Sequence, residues 1–298
     1  MAQKPIEEIL LEPYHYLKAS NGKQIRSKLL QAFNHWLQIP SDELSIVSEI
    51  VEMLHNASLL IDDIEDGSTL RRGRPVAHQV YGIPTTINSA NYLYFVALQK
   101  IINAFPSHLL PKAMNLFSDK ILEVHRGQGM DIYWRDSYIC PTEEQYHEMV
   151  KQKSGALFAL GFSLMQLFSD NKRDFEPFLN HFGAYFQIRD DLANLKSNEY
   201  TENKTFAEDL TEGKFSYPIV HAIQNYPHDS SLINILRQRT KNIELKKFAV
   251  NKLEELGSID YTYEALRHFK REIMNDLQVI GGNPYIDQIL AFLSFDFN

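Results

Sequence analysis

Long stretches of the chain carry apolar residues at three- and four-residue spacing, which is the pattern of helices with one buried face. One such stretch runs from Leu44 to Ile61, and another, apolar at nearly every position, runs from Met149 to Phe168. Alternating patterns bounded by tight glycine turns, which are typical of strands, are scarce. The patterning therefore predicts an all-α fold, a single domain over residues 1–298 with about ten helices.

Two short segments have the composition of helix N-termini. Pro40–Glu43 and Pro141–Glu144 each place a hydroxyl residue just before acidic residues. A hydroxyl oxygen can accept hydrogen bonds from the unpaired N–H groups of a first turn, and acids there complement the helix dipole. We therefore predict N-terminal caps at Ser41 and Thr142.

Composition and charge narrow the classes of function. The 298 residues are 44% hydrophobic, and the formal net charge is −8. An acidic chain does not favour a nucleic-acid or anionic-membrane partner. The single cysteine, Cys140, excludes an intramolecular disulfide, and we interpret it as a packing residue rather than a nucleophile. No stretch approaches the roughly 20 apolar residues of a transmembrane segment, and the N-terminus lacks a secretory pattern. We expect a cytoplasmic protein.

The first long apolar stretch ends in an acidic cluster, formed by Asp62, Asp63, Glu65 and Asp66. On a helix, Asp62 and Asp66 are one turn apart and share a face, and His55 lies two turns earlier on much the same face. A divalent cation would relieve their repulsion, and Mg²⁺ prefers a few carboxylates, waters and a substrate phosphate. The alternative is a solvated acidic helix end, which the apolar run directly before the cluster disfavours.

A second acidic cluster follows an aromatic-rich stretch and contains Asp190, Asp191 and Asn194. Gln187, one of the two acids and Asn194 recur at three- and four-residue spacing, so one helix face presents polar oxygens. Two such clusters in one helical chain predict a cavity with carboxylates facing each other across its mouth. Taken alone, the second cluster is weaker evidence, because Arg189 could neutralise a surface pair of acids.

Short basic motifs surround the two acidic clusters. Arginine binds phosphate through paired hydrogen bonds and lysine as a point charge. Each cation alone is explained by an ordinary surface position, except Lys153, which stands in an otherwise apolar segment. Together with the acids, these cations predict a site for two diphosphates, one bridged by metal and one held by basic residues. The motifs are Gly22–Arg26, Leu70–Arg74, Lys153–Gly155, and Lys204 with Lys214.

In this order, the motifs resemble the trans-isoprenyl diphosphate synthase family, and within it most closely the eukaryotic, animal-type geranylgeranyl diphosphate synthases. The matching segments run from residue 22 to about residue 218, and the remainder of the chain is less diagnostic. The segments are GKQIRSK, HNASLLIDDIEDGSTLRRG, INSANYLYF, HRGQGMDIYWRD, QKSGALF, FQIRDDLANL and EDLTEGKFSYP.

The resemblance implies a helical bundle around a central cavity, a homo-oligomer built from dimers, and about three Mg²⁺ ions per site. The implied metal ligands are Asp62, Asp66 and Asp190, which with Arg71, Lys153 and Lys214 would form the catalytic set. The allylic diphosphate would be bound by Arg71, Lys153, Ser154, Gln187, Lys204 and Lys214, with Gln128 and Asp131 nearby. Isopentenyl diphosphate would be bound by Lys23, Arg26, His55 and Arg72.

The implied reaction joins isopentenyl diphosphate to dimethylallyl, geranyl or farnesyl diphosphate through an allylic carbocation, giving the C20 product geranylgeranyl diphosphate. Cations and metal would neutralise the leaving diphosphate. The small residues Ala57 and Ser58, one turn before the first cluster, would leave a channel for the growing tail, and its floor would come from Tyr94, Phe95 and His125. Close packing between helices is the alternative explanation for Ala57 and Ser58.

One position departs from the family pattern, because the second cluster ends in Asn194 rather than a third aspartate. Its role as a metal ligand therefore stays open. A farnesyl diphosphate synthase is the nearest alternative and is disfavoured by the small residues before the first cluster. A terpene cyclase would leave the GKQIR and RRGR motifs without a role, and a non-catalytic regulatory subunit would carry degraded motifs. An EF-hand calcium protein is disfavoured because neither cluster lies in a glycine-turned loop.

Overall fold

The computed structural model describes residues 4–20, 25–196 and 206–294, and nearly all of them lie in helices or short connections. In this described part, the only strands are β1, Leu70–Arg71, and β2, Arg74–Pro75, which pair as a small antiparallel hairpin. The all-α prediction is confirmed. The described part has more than ten helices, because several short ones carry too few residues to show a period.

The chain divides into two compact units. The first unit comprises Met1–Lys120, Leu160–Lys172 and Asn283–Phe292, and the second comprises Ile121–Ala159, Arg173–Gly282 and Leu293–Asn298. The assignment of residues 1–298 to a single domain stays a prediction.

The first unit is built from the N-terminal helices and holds the first acidic cluster. Its longest complete helices are α4 and α6, which pack against each other along much of their length. The helices are α1 (Ile6–Leu10), α2 (Glu12–Lys18), α3 (Ile25–Leu37), α4 (Ser41–Glu65), α5 (Ala77–Tyr81), α6 (Ile83–Ala104), the start of α7 (Leu110–Ser137), the greater part of α9 (Ala156–Leu167) and nearly all of α16 (Pro284–Leu293).

Helix α4 is unusually long and apolar. It has 25 residues and a window of mean hydropathy 1.4, so by length and composition it could cross a membrane. Its buried positions, such as Val47, Ile50 and Leu54, recur every three or four residues, which is the pattern of a helix packed on its neighbours. One such helix is weak evidence for a membrane span, and the packing against α6 accounts for it as a core helix.

The second unit holds the second acidic cluster on α10, which packs mainly against the long helix α15. A five-residue π-helical segment, Lys151–Gly155, joins α8 to α9, so the predicted apolar helix from Met149 is confirmed but locally widened. The helices are the greater part of α7 from Ile121 onward, α8 (Glu143–Val150), the start of α9, α10 (Glu176–Lys196), α11 (Glu208–Glu212), α12 (Tyr217–Asn225), α13 (Ser231–Gln238), α14 (Ile243–Glu255) and α15 (Ser258–Ile280).

The two predicted helix caps have different outcomes. Thr142 caps α8 as predicted, because its hydroxyl accepts from the Gln145 N–H at 3.2 Å while the Gln145 side chain accepts from the Thr142 N–H. Ser41 was predicted wrongly. Pro40 occupies the cap position without a side-chain hydrogen bond, and Ser41 is already the first helical residue.

Candidate active site

The adjacent aspartates of the first cluster lie in different environments. Asp63 is 1% exposed, and its Oδ1 accepts a hydrogen bond from Arg71 Nε at 2.6 Å. The Asp62 side chain is 20% exposed, and its Oδ2 accepts from Arg71 Nη2 at 3.0 Å. Consecutive helix positions point about 100° apart, so only one of two adjacent acids can face the core. Asp62 is therefore the aspartate of this pair that a ligand can reach.

The hairpin after α4 explains how Arg71 reaches the cluster. Arg72 and Gly73 both have positive φ, at 54° and 73°, which is the signature of a tight two-residue hairpin turn. The turn reverses the chain, so that Arg71 lies back over the end of α4. Arg72 donates from Nη1 to the Ser20 carbonyl at 2.8 Å, and Tyr16 donates from its hydroxyl to the Pro75 carbonyl at 2.8 Å. These contacts fasten the hairpin to α2 and to the residue two positions after its end.

Asp66 marks the end of α4. It is the C-terminal cap residue and is partly exposed, and Gly67 follows with a φ of 64°, which reverses the chain. The side chains of His55 and Ser58 are also partly exposed along α4. The structure thus keeps Asp62 and Asp66 one turn apart and accessible, as the spacing predicted.

The residues proposed for chain length are not placed alike. Ala57 is fully buried in a core cluster shared by α2, α4, α5 and α6, which agrees with the packing alternative. Ser58 is partly exposed, and its hydroxyl donates to the His55 carbonyl at 2.8 Å. Tyr94 packs against the same core cluster, and burial, together with the charges of Glu65 and Asp62, raises its pKa.

Phe95 differs from its neighbour on α6. Its side chain is 69% exposed, because it follows Tyr94 on the helix and points away from the core of the first unit. His125 belongs to the second unit, where its Nδ1 lies 2.8 Å from the Ile121 carbonyl. Within the first unit, the structure therefore does not place Phe95 beside Tyr94 as a shared floor.

Lys153 sits in the π-helical segment and is held by an acid of α7. Its Nζ donates to Asp131 Oδ2 at 2.5 Å, and both side chains are largely buried. A Cβ added at Gly127 would lie 2.3 Å from the Lys153 backbone N, so only glycine lets α7 approach the segment this closely. π-Helical segments interrupt α-helices frequently at functional sites. Gln128, on α7, lies one turn before Asp131.

A chain of hydrogen bonds runs from the π-helical segment into the second cluster. Ser154 donates to Gln187 Oε1 at 2.7 Å, and Gln187 Nε2 donates to Asp191 Oδ1 at 2.9 Å. The other oxygen of Asp191 accepts from the Tyr146 hydroxyl at 2.6 Å and from the Tyr217 N–H at 2.7 Å. Burial raises the pKa of Asp191 to about 6, although these donors act in the opposite direction. Asp191 is therefore a buried structural acid.

Asp190 and Asn194 complete the second cluster. Asp190 is partly exposed, so it is the accessible aspartate of this pair. Asn194 is 5% exposed, and its Oδ1 accepts from the Asp209 N–H at 3.2 Å. The polar face predicted on α10 exists, but its members Asp191 and Asn194 turn inward. Arg189 donates to the Leu293 carbonyl at 3.2 Å.

The basic residues after the second cluster are described in part. Lys214 forms an ion pair with the buried Glu212 at 2.8 Å. Lys23 and Lys204 lie outside the described residues, and of Arg26 only the backbone, at the start of α3, is described. Glu212, Tyr146 and Tyr217 are not among the site residues predicted from the sequence. The EDLTEGKFSYP segment contains two of the three, but spacing alone did not reveal their partners.

A family model for polyprenyl synthetases matches residues 7–253. The chain belongs to this family. A protein named terpene synthase from Matsumurasca onukii is 52% identical over 287 residues, which is 96% of this chain and 93% of that protein. A geranylgeranyl pyrophosphate synthase from Mucor circinelloides is 46% identical over 288 residues, 97% of this chain and 94% of that protein. Another, from Metarhizium anisopliae, is 47% identical over 295 residues, 97% and 88% respectively.

These matches confirm the family resemblance drawn from the motifs. The relatives named geranylgeranyl pyrophosphate synthase are mainly fungal, so the matches support a eukaryotic polyprenyl synthetase more firmly than an animal type. All three relatives align over most of their own length.

The donor set fits the magnesium use expected of a polyprenyl synthetase. Among the described residues, no three His, Cys, Asp or Glu side chains lie close enough to hold a metal by themselves. Mg²⁺ usually keeps several waters and binds through one or two carboxylates plus substrate phosphates, so a complete protein cage is not required. The partly exposed Asp62, Asp66 and Asp190 suit this role, whereas the buried Asp63 and Asp191 already serve as acceptors for protein donors.

Proposed function

We propose that this polyprenyl synthetase makes geranylgeranyl diphosphate from isopentenyl diphosphate and an allylic diphosphate. The observation that carries the proposal is the near full-length similarity, at 46 to 47% identity, to fungal proteins named for that activity. The partly exposed aspartates and the lysine and arginine side chains support the proposal, because the reaction requires groups that bind diphosphates and stabilise a leaving group.

The proposed roles of the residues come from the family resemblance of the motifs, and the contacts that each side chain makes support them. Bound Mg²⁺, in about three copies, would neutralise the departing diphosphate, held by Asp62, Asp66 and Asp190. Lys153 and Lys214 would add charge at the same diphosphate, and Asp131 and Glu212 hold these two lysines in place. Arg71 would contribute from the hairpin, and Ser154 and Gln187 from the network on α10.

The chemistry needs no protein nucleophile. The allylic C–O bond breaks, and its electron pair leaves with the diphosphate. The double bond of isopentenyl diphosphate attacks the resulting carbocation, and the released pyrophosphate takes the proton lost in the last step. His55 and Arg72, with Lys23 and Arg26, would hold the second diphosphate. What the chain supplies is therefore charge, orientation and an apolar path for the tail.

An assay of product length tests the function. Labelled isopentenyl diphosphate is incubated with dimethylallyl, geranyl or farnesyl diphosphate and Mg²⁺, and the dephosphorylated products are separated by chromatography. We expect a C20 product from all three starters. A main product of C15 would identify a farnesyl diphosphate synthase, and no condensation with any starter would favour a non-catalytic subunit.

A second candidate function is terpene synthesis, because the relative from Matsumurasca onukii carries that name. The two activities separate cleanly when one labelled allylic diphosphate is supplied with and without isopentenyl diphosphate. A prenyl synthase leaves the allylic diphosphate intact in the single-substrate reaction. A terpene synthase releases diphosphate and forms a volatile hydrocarbon or alcohol without the second substrate.

We further propose that the chain forms a homodimer, alone or within a hexamer, and acts in the cytoplasm. Ile87, Phe95 and Ile102 recur at seven- and eight-residue spacing on α6 and are 38%, 69% and 40% exposed, a pattern that a second copy could cover. Sedimentation velocity of Phe95→Glu, with Phe248→Glu on α14 as a control, tests the dimer.

Two further experiments test the other parts of this proposal. Cell fractionation tests the location, and one cooperative unfolding transition would support a single domain.

A further inference from the structure

The last position of the second cluster, Asn194, is committed to a protein contact. Its side chain is buried on α10, which continues past it to Lys196. Its Oδ1 accepts from the backbone N–H of Asp209 at 3.2 Å. Asn194 therefore faces the interior of the second unit, whereas Asp190 is partly exposed four positions earlier.

The peptide groups of Asp209 carry this contact to Lys214. The Asp209 carbonyl accepts from the N–H groups of Gly213 and Lys214, both at 2.9 Å. Asn194 thus binds the N–H of Asp209, and the carbonyl of the same Asp209 fixes the backbone of Lys214. Gly213 has a φ of 80°, so the chain turns sharply before Lys214, and the turn would be strained with any other residue.

Two further contacts fasten the segment from residue 206 to residue 214, which contains α11 and the turn at Gly213. Lys246, only 3% exposed, donates from Nζ to the Phe206 carbonyl at 2.6 Å, where the turn begins. At the other end, Glu212 holds the Lys214 ammonium at 2.8 Å. The turn from residue 206 to residue 214 is therefore fixed at its start, at its middle by Asn194, and at its end.

We propose that Asn194 is a positioning residue, which fastens this turn to α10 and so places Lys214, and that it is not a metal ligand. The proposal rests on the proposed function in one respect, because Lys214 is taken to bind the allylic diphosphate. It explains why the second cluster departs from the family pattern at this position.

The neutral amide suits this position for an electrostatic reason. Glu208, Asp209 and Glu212 are all buried within the same short turn. A carboxylate at position 194 would add a further negative charge beside these acids, in an environment that already disfavours charge. The asparagine oxygen accepts the same N–H hydrogen bond without adding that charge.

The experiment compares Asn194→Asp with Asn194→Ala, and uses Asn251→Asp on the exposed surface of α14 as the charge control. A metal ligand gains strength when it becomes a carboxylate, so Asn194→Asp would then lower the Mg²⁺ concentration at half-maximal rate. If Asn194 is a positioning residue, we expect the half-saturating Mg²⁺ concentration not to fall in Asn194→Asp. In both Asn194 variants, the KM for farnesyl diphosphate should rise about tenfold, while the KM for isopentenyl diphosphate stays within about twofold.

Two readouts without metal or substrate keep the test independent of the proposed function. Amide hydrogen exchange of residues 208–214 should become at least about tenfold faster in Asn194→Ala, and the thermal midpoint of metal-free Asn194→Asp should fall below that of Asn251→Asp. Unchanged exchange in Asn194→Ala, or a lower half-saturating Mg²⁺ in Asn194→Asp, would overturn the proposal. Failure of the wild-type protein to form a C20 product would refute the proposed function but leave the exchange result standing.

Discussion

The two acidic clusters share a design and differ in how they satisfy it. In each, the second of two adjacent aspartates is buried and the first is partly exposed. Asp63 accepts a hydrogen bond from a cation, Arg71, at 2.6 Å. Among the described residues, the hydrogen-bond donors to Asp191 are all neutral, namely Tyr146, Gln187 and the Tyr217 backbone. The first cluster thus rests on a charge pair, and the second on a neutral network.

The difference shows what each cluster can tolerate. A buried ion pair is costly to break, because the surviving charge keeps its desolvation penalty. A buried carboxylate with neutral donors carries that penalty already, which is why the pKa of Asp191 is raised to about 6. The same substitution should therefore have different consequences in the two clusters, while the exposed aspartates should behave alike.

The largest effect is expected for the exposed aspartates. Asp62→Ala should lower kcat by about 10³-fold or more, because it removes a carboxylate that helps to bind metal at the leaving diphosphate. Steady-state kinetics at saturating Mg²⁺ measure the loss. The thermal midpoint should change little, since Arg71 keeps its closer partner, the buried Asp63, at 2.6 Å. Asp190→Ala is the matched variant, and near wild-type turnover in either one would remove its proposed metal role.

The next effect is on stability and separates the buried aspartates. Asp63→Asn should lower the free energy of unfolding by about 2 kcal/mol, because it removes the closer and more deeply buried of the two aspartates that pair with Arg71 and leaves that cation with the partly exposed Asp62. Asp191→Asn should cost less, about 1 kcal/mol at pH 7, because the buried charge disappears and the amide oxygen still accepts from Tyr146 and Tyr217. The Gln187 amide must then turn, so that its oxygen accepts from the new NH2 group. Urea unfolding measures both. Equal losses in the two variants would contradict the distinction between charge pair and neutral network.

Which aspartate of each pair is exposed could not be predicted from spacing alone. The residue pattern placed both clusters correctly at or near helix ends, and it identified Asp62 and Asp66 as neighbours on one face. For Asp190 and Asp191, however, the apolar pattern left the phase of α10 open. Packing against α15 and the contacts with Tyr146 and Tyr217 decide that phase, and these residues are distant in sequence.

The hairpin and the turn before Lys214 were missed for a related reason. The LRRGRP segment is too short to show a strand period, and its turn depends on a positive φ at Arg72, a conformation that arginine seldom adopts. Predicting the ion pair between Glu212 and Lys214 requires the turn between them to be known, and Gly213 is the one sequence signal for that turn. Family resemblance supplied the roles of these cations, and the structure adds the residues that hold Arg71, Lys153 and Lys214 in place.

A smaller effect on the thermal midpoint, one that depends on pH, is expected at Glu143, which is linked to the neutral network through Tyr217. The His147 imidazole, whose Nε2 lies 3.6 Å from Glu143 Oε1, and hydrogen bonds from Tyr217 and Tyr261 lower the pKa of Glu143 to about 2. Because the folded pKa lies below the unfolded one, this stabilisation is present above about pH 5 and is lost as the pH falls toward 2. Glu143→Gln should therefore lower the thermal midpoint by about 2 °C at pH 7, and the difference should shrink below pH 4.5.

The control for this prediction is Glu144→Gln, an exposed acid one position further along α8. It should leave the thermal midpoint unchanged at every pH. A difference between wild type and Glu143→Gln that grows as the pH falls would show that Glu143 is not stabilised by these donors, and the link from Glu143 through Tyr217 to Asp191 would lose its support.

The smallest effect on rate is expected at Ser58, where the product should change instead. Ser58→Phe places a ring one turn before Asp62, and it should shorten the main product from C20 to C15 while kcat falls less than about tenfold. Chromatography of the dephosphorylated products gives the length. The first cluster has two small residues at this level, but only Ser58 is partly exposed, and Ala57 is fully buried in the core.

Ala57→Phe is therefore the matched variant. A ring at Ala57 would overpack the cluster that includes Tyr14, Leu60 and Leu93, and it should lower the free energy of unfolding by about 1 to 3 kcal/mol. If Ser58→Phe still makes C20 as its main product, Ser58 does not line the path of the tail. If Ala57→Phe shortens the product without loss of stability, the small residue that controls length is Ala57, and the packing explanation for that position is wrong.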